Sequence, residues 1–220
     1  MRTDMTSEEV ARYLHDHPEF FDQYAEMLAL VTLPDPHTGR AISITEKQLF
    51  NLRDKVRTLE SKLVELIGFG EENDAISAKV HGLAVALAAA TDQAAVVRAL
   101  YSHLGGAFAV PHVTLRMWGA GQGDGHEFEA VADAVKAFAA NLHRPYCGSV
   151  SGQDSTAWFG EAAAHLRSMT QVPLREAGGV CFGLLVMASE EPHRFYPELG
   201  TLYLERIGEM ASAALLRVAG

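Results

Sequence analysis

The sequence predicts an α+β chain in two parts, a helical N-terminal arm followed by a mixed domain. Three observations carry that expectation. Strand-like runs are all but absent before Val110 and frequent after it. A leucine pattern of helical period runs through residues 49–66. Charge is also uneven: residues 1–75 hold 8 basic and 15 acidic side chains, and residues 76–220 hold 10 and 13. The expected organisation is a helical segment over 1–40, a long connecting helix over 41–75 and a globular domain over 76–220.

The arm opens on Thr6-Ser7-Glu8-Glu9, which has the form of a capping box, with Val10, Tyr13 and Leu14 on one face of the helix it starts. His17-Pro18 breaks that helix, because the residue before proline is pushed out of the α region. Pro18 suits the first turn of a second helix rich in large apolar groups: Phe20, Phe21, Tyr24, Met27, Leu28 and Val31. Short helices with that much aromatic surface need cover, from the chain's own domain or from a second subunit. Leu33 to Gly39, with two prolines and a glycine, reads as a loop. Ser43-Ile44-Thr45-Glu46 is a second capping box.

The helix it opens carries the clearest periodicity in the chain. With Leu49 as position a, Leu49, Leu52, Val56, Leu59, Leu63 and Leu66 fill a and d through nearly three heptads. Lys55 at g meets Glu60 at the following e of a parallel partner. Two arrangements fit this stripe: a homodimeric seam, or packing against the chain's own domain. The pattern fades at Gly70 and Asn73, and Gly68 and Gly70 each cost about 1 kcal/mol in a helix.

In the domain, Ile76 to Ala90 reads as a buried helix carrying Val80, Leu83, Val85 and Leu87. Asp92 caps a second helix, which Gly105-Gly106 stops. Pro111 to Trp118 alternates as a strand, with Val113, Leu115 and Met117 on one face and Arg116 and Trp118 on the other. Gly119 to Gly125 is a glycine-rich hairpin loop without the Lys-Ser/Thr of a phosphate loop. Residues 128–142 have helical spacing, and 146–150 form a short edge segment. Met169–Leu174 and Val180–Met187 make a hairpin whose second strand is apolar throughout, hence central and covered on both faces. Pro197 starts a terminal helix. The first and last helices of the domain are expected on one face of an antiparallel sheet, with the middle segments covering the other and enclosing a small-molecule cavity.

Composition narrows the function. A net charge of -10 disfavours nucleic acid. Gly82–Ala90 is half the length of a membrane span, and the start of the chain is acidic and polar, unlike a signal peptide. The expectation is a cytoplasmic protein with neither a membrane nor a nucleic-acid partner. The two cysteines form no CxxC, the ten histidines form no metal-binding spacing, and no G-x-S-x-G elbow occurs. No cofactor is indicated by motif.

Several stretches carry a family resemblance. PLREAGGVCFGLLVMAS followed by HRFYPELGTLYLERIGEMASAAL resembles the end of a GAF domain. More narrowly, VARYLHDHPEFF, LPDPHTGRAISITEKQ, LRDKVRTLESKLVELIGFGEEND, VTLRMW, YCGSV and RFYPELGTLYLERIGEM resemble the bacterial domain of unknown function 484 along nearly the whole chain. The resemblance implies a helical arm fused to a GAF-like domain and names no activity. GAF-like domains bind small molecules such as cyclic nucleotides, tetrapyrroles or metabolites, or they dimerise and relay a signal. The resulting expectation is a non-enzymatic, dimeric sensory or scaffolding protein that passes its signal to another protein through the arm. Candidate ligand-binding residues are Arg116, meeting an anion, Trp118, stacking, and Tyr146 and Cys147. Two alternatives stay open. One is a thiol-dependent reductase similar to those acting on free methionine sulfoxide, using Cys147 and Cys181. The other is an interaction module with a filled core and no ligand.

Overall fold

The computed structural model describes residues 5–34, 41–121 and 123–219. The chain divides into two compact units between Glu71 and Glu72.

In the first unit, α1 (Ser7–Asp16) begins on the expected capping box. The Thr6 N–H donates to Glu9 Oε2 at 2.8 Å and the Glu9 N–H to Thr6 Oγ1 at 3.3 Å. The segment after Pro18 is two short helices, α2 (Glu19–Gln23) and α3 (Ala25–Leu30), rather than one, because Tyr24 leaves the helical region at φ -116°, ψ 26°. The ring of Tyr24 stacks on Phe20 at 4.7 Å. No residue of α1 or α2 is buried.

Leu33-Pro34 corrects the loop expectation. Thr32–Pro34 (β1) pairs antiparallel with Ala41–Ser43 (β2), in the register Thr32↔Ser43, Leu33↔Ile42, Pro34↔Ala41. Proline is tolerated here at the end of a two-stranded ribbon, where its missing N–H breaks no ladder. The rest of that expected loop, residues 35–40, lies outside the described residues. So do the side chains of the second capping box, although the next helix starts at Ile44, directly after Ser43.

That helix, α4 (Ile44–Ala89), is 46 residues long and runs through Gly68 and Gly70 without a break. Along its first half the leucine stripe is exposed, from 45% at Val56 to 66% at Leu59. Its last four turns enter the core of the second unit through Val80, Leu83 and Leu87, while Val85, expected inside, points to solvent.

The second unit is a four-stranded antiparallel sheet, ordered β3-β6-β5-β4, between two layers. Its strands are β3 (His112–Met117), β4 (Tyr146–Ser149), β5 (Ser168–Arg175) and β6 (Cys181–Ser189). β6 is central, as its apolar run predicts, and β3 and β4 are the edges. On one face pack the end of α4, α5 (Gln93–Ser102) and α7 (Leu202–Val218), around Leu83, Leu100, Leu115, Val172, Leu185 and Leu215. α5 is capped as expected, by Asp92 Oδ1 accepting from the Ala95 N–H at 2.7 Å. It does not stop at the glycines but widens into a π-helical turn, His103–Ala107, a geometry that Gly105 and Gly106 permit. The terminal helix starts at Leu202, five residues after Pro197.

The other face is covered by α6 (Asp133–Asn141), shorter than the expected 128–142, and by a kinked 3-10 segment, Asp154–Ala164, with no counterpart in the sequence reading. Val135, Leu166, Met169, Leu184 and Val186 form the core there.

α7 lies close on β5 because position 208 is glycine. A Cβ at Gly208 would stand 2.6 Å from Val172 Cγ1, a side chain with no room to move. Gly208→Val should therefore destabilise the protein by about 2–3 kcal/mol, the usual cost of overpacking. A urea-unfolding midpoint unchanged from wild type would contradict this close approach.

Candidate functional site

Pleating of the sheet places Thr114, Arg116 and Trp118 on the face away from the long helices, toward the covering layer. Arg116 is 5% exposed. Its Nη2 donates to Glu129 Oε2 at 2.9 Å, and its Nη1 donates to Thr114 Oγ1 and to the Leu115 carbonyl, both at 3.3 Å. The guanidinium carbon stands 5.4 Å from the Trp158 ring centroid, a cation–π distance. Together with Tyr101, His126, Trp158 and Phe159, Arg116 lines a cavity of about 400 Å³ at the β3 edge of the sheet.

Tyr101 reaches this edge from α5. Its hydroxyl accepts the Leu115 N–H at 3.2 Å, satisfying a backbone donor that an edge strand leaves unpaired. Burial, and then the Glu127 carboxylate beside it, push the Tyr101 hydroxyl up to about 12. A tyrosine raised in this way holds its proton in the folded chain between pH 10 and 12, where the unfolded chain has lost it. Stability is therefore complete below pH 10 and falls as pH rises toward 12. The loss is about 1–2 kcal/mol after allowing for the part of the ring that water reaches. Urea unfolding across that range should show the decline, and Tyr101→Phe should flatten it. An equal slope in both proteins would contradict the assignment.

Glu129, half exposed, bridges Arg116 and His126. The hydrogen bond from His126 and the Arg116 charge hold its carboxyl below the usual range. A second, smaller cavity of about 220 Å³ lies over β5, beside a buried chain in which Ser155 Oγ donates to Gln171 Oε1 at 3.0 Å and Gln171 Nε2 donates to Gln153 Oε1 at 2.8 Å. Among the described residues no buried polar side-chain atom lacks a partner, and no three His, Cys, Asp or Glu side chains converge as a metal site.

The four residues singled out from sequence are not one cluster. Arg116 lines the cavity at the β3 edge. Trp118 shares its face but lies outside that cavity, with the indole N–H donating to the Cys181 carbonyl at 3.0 Å and the half-buried ring packed against the core. Trp158, from the 3-10 segment, lines it instead, with its ring over the Arg116 guanidinium. Tyr146 is on the same face at the opposite edge strand, about 14 Å away at three interstrand spacings. Its hydroxyl is turned to the Ser149 carbonyl. Cys147, one residue on, points to the other face by pleat alternation and donates to Thr170 Oγ1 at 3.4 Å.

The cysteine pair also separates. Cys147 is opposite Thr170 on β5, whereas Cys181 is opposite Arg175, five residues further along and on the strand beyond. That spacing is about 17 Å along the strands alone, far outside the ~7 Å limit for a disulfide. Burial pushes both thiols up, away from the thiolate form that redox chemistry uses. The two-cysteine reductase arrangement is absent.

Tyr101, Glu129 and Trp158 were not found from sequence. They come from three different elements and meet Arg116 only in the fold, so no spacing announces them.

A family model described as a protein of unknown function, DUF484, matches residues 1–218. The chain belongs to the DUF484 family. Among curated proteins it is similar to the uncharacterized protein YigA of Salmonella typhimurium, at 23% identity over 98% of this chain and 93% of that one. Among solved structures it is similar to the free methionine-R-sulfoxide reductase of Neisseria meningitidis in complex with its substrate, at 18% identity and a TM-score of 0.42, over 62% of this chain and 85% of that one. It is also similar to the A. aeolicus nlh2 GAF domain in an inactive state, at 14% identity and a TM-score of 0.45, over 64% and 96%. The architecture implied by the family resemblance is the one observed: a helical arm, then an antiparallel sheet with long helices on one face and covering segments on the other. No described helix of this DUF484 chain is long and apolar enough to cross a membrane.

Proposed function

We propose that this DUF484 chain is a dimeric, non-enzymatic sensory module that binds a small anionic, planar molecule in the Arg116 cavity and signals through its arm to a protein partner. The observation carrying the ligand assignment is a buried guanidinium set into an aromatic-walled cavity and held by a half-exposed carboxylate. A ligand anion can take the place of Glu129 on Arg116, and Glu129 passes into water at small cost because it is already half hydrated. Tyr101 and Trp158 line the cavity with aromatic rings, the kind of wall on which a planar ligand stacks.

Self-association rests on the arm. The stripe from Leu49 to Leu66 is exposed, with exposed Ile67 and Phe69 at the flanking e and g positions, and Val10, Tyr13, Phe21 and Tyr24 of the arm are exposed as well. A parallel second copy matches Lys55 with Glu60, whereas an antiparallel copy sets Lys55 against Lys62.

Both tryptophans of the chain, Trp118 and Trp158, are on the Arg116 face, so intrinsic fluorescence reports on it. Adenosine monophosphate, a planar anion, should quench or shift the emission at concentrations where uncharged adenosine does not, and Arg116→Met should abolish the response. Equal responses to both compounds, or a response that survives Arg116→Met, would remove the anion assignment.

A further inference from the structure

Another cavity, of about 310 Å³, lies on the helix side of the sheet, away from Arg116. Its walls are apolar: Leu104, Val110, Met187, Phe195 and Ile207 are all buried. Two cations stand at its rim. Lys79 of α4 has its Nζ 6.0 Å from the Phe108 ring centroid, and Arg194 Nη2 donates to the Phe108 and Ala109 carbonyls at 3.0 and 2.8 Å. Neither cation pairs with a carboxylate among the described residues. The wall between them is the turn after the π-helical segment, where Ala109 has φ 51°, the sole positive value at a non-glycine residue among those described. Arg194 holds that turn in place.

We infer that this cavity binds the acyl chain of a medium-chain monocarboxylate, with the carboxylate at Lys79 and Arg194. An apolar interior excludes a polar ligand body, since each polar group buried there without a partner is costly. Two unpaired cations at the mouth select an anionic head over a neutral or cationic one. The volume is at the small end of ligand cavities and fits one chain rather than a two-chain lipid. Ile76 and Lys79 belong to α4, the same helix that carries the leucine stripe, so an occupant touches the arm's own helix directly. This assignment is independent of the Arg116 reading, and either can fail alone.

The test is methyl-resolved NMR of the full chain titrated with decanoate below its micelle concentration. Shifts should concentrate at Leu104, Val110, Met187 and Ile207. Affinity should rise about fourfold per methylene from octanoate to decanoate, the factor that ~0.8 kcal/mol per buried methylene gives. Decyltrimethylammonium should bind markedly more weakly. Lys79→Glu, at an exposed position that leaves folding intact, should weaken decanoate about 3- to 10-fold. No shifts, shifts centred instead on Thr114 in the Arg116 cavity, equal binding of the cationic amphiphile, or no effect of Lys79→Glu would each overturn the assignment.

Discussion

Leu59→Glu is expected to convert the protein from dimer to monomer. Leu59 is the middle d position of the stripe and the most exposed of its six residues, at 66%. In a two-stranded seam the substitution removes two buried leucines and sets two carboxylates against each other. Losing about 2–3 kcal/mol of burial per leucine makes about 4–6 kcal/mol per dimer, a 10³- to 10⁴-fold weakening before repulsion is added. Light scattering at micromolar concentration should show the 23.8 kDa chain alone for the variant and twice that mass for wild type. Helicity of the second unit should be unaffected, because its core contains no residue before Ile76. A variant that keeps the wild-type mass places the interface elsewhere.

Arg116→Met is the second large effect, and it separates stability from binding. A buried guanidinium is expensive to desolvate, and replacing it with an apolar side chain of similar length is often neutral or stabilising by 1–4 kcal/mol. Glu129 is left without its partner but is already half in water, so little is lost there. The variant should therefore unfold at an equal or higher urea concentration than wild type while losing its response to adenosine monophosphate. Glu129→Gln should do the reverse, lowering stability because Arg116 keeps its charge and loses its counter-ion. If Arg116→Met is strongly destabilised instead, the guanidinium serves the fold and the binding assignment loses its support.

The sequence was legible wherever one physical rule acts alone. The capping box at Thr6, the Asp92 cap and the apolar run of β6 each depend on near neighbours, and each appears where expected. The alternation of Arg116 and Trp118 against Leu115 and Met117 likewise survives in the sheet. Local rules fall short where distant groups decide. Alternation alone puts Trp118 in the cavity, but the Cys181 carbonyl takes its N–H, and Trp158 arrives from a segment without periodicity. Tyr146 and Cys147 are neighbours in sequence, and neighbours in a pleated strand face opposite sides. The three-residue strands β1 and β2 are too short for alternation to register. Gly68 and Gly70 weaken α4 by about 1 kcal/mol each, a cost that a 46-residue helix absorbs.

In the proposed dimer the Leu49–Leu66 stripe is covered by the same stripe of a second chain, parallel and in register. Oxidative cross-linking of Leu59→Cys tests it most directly, because facing d positions in a parallel pair bring the two sulfurs within disulfide reach. Leu59→Cys should give a covalent dimer on a non-reducing gel, while Glu65→Cys, on the outer face at position c, should remain a single chain. A Leu59→Cys protein that stays monomeric, or equal cross-linking at both positions, would contradict this pairing.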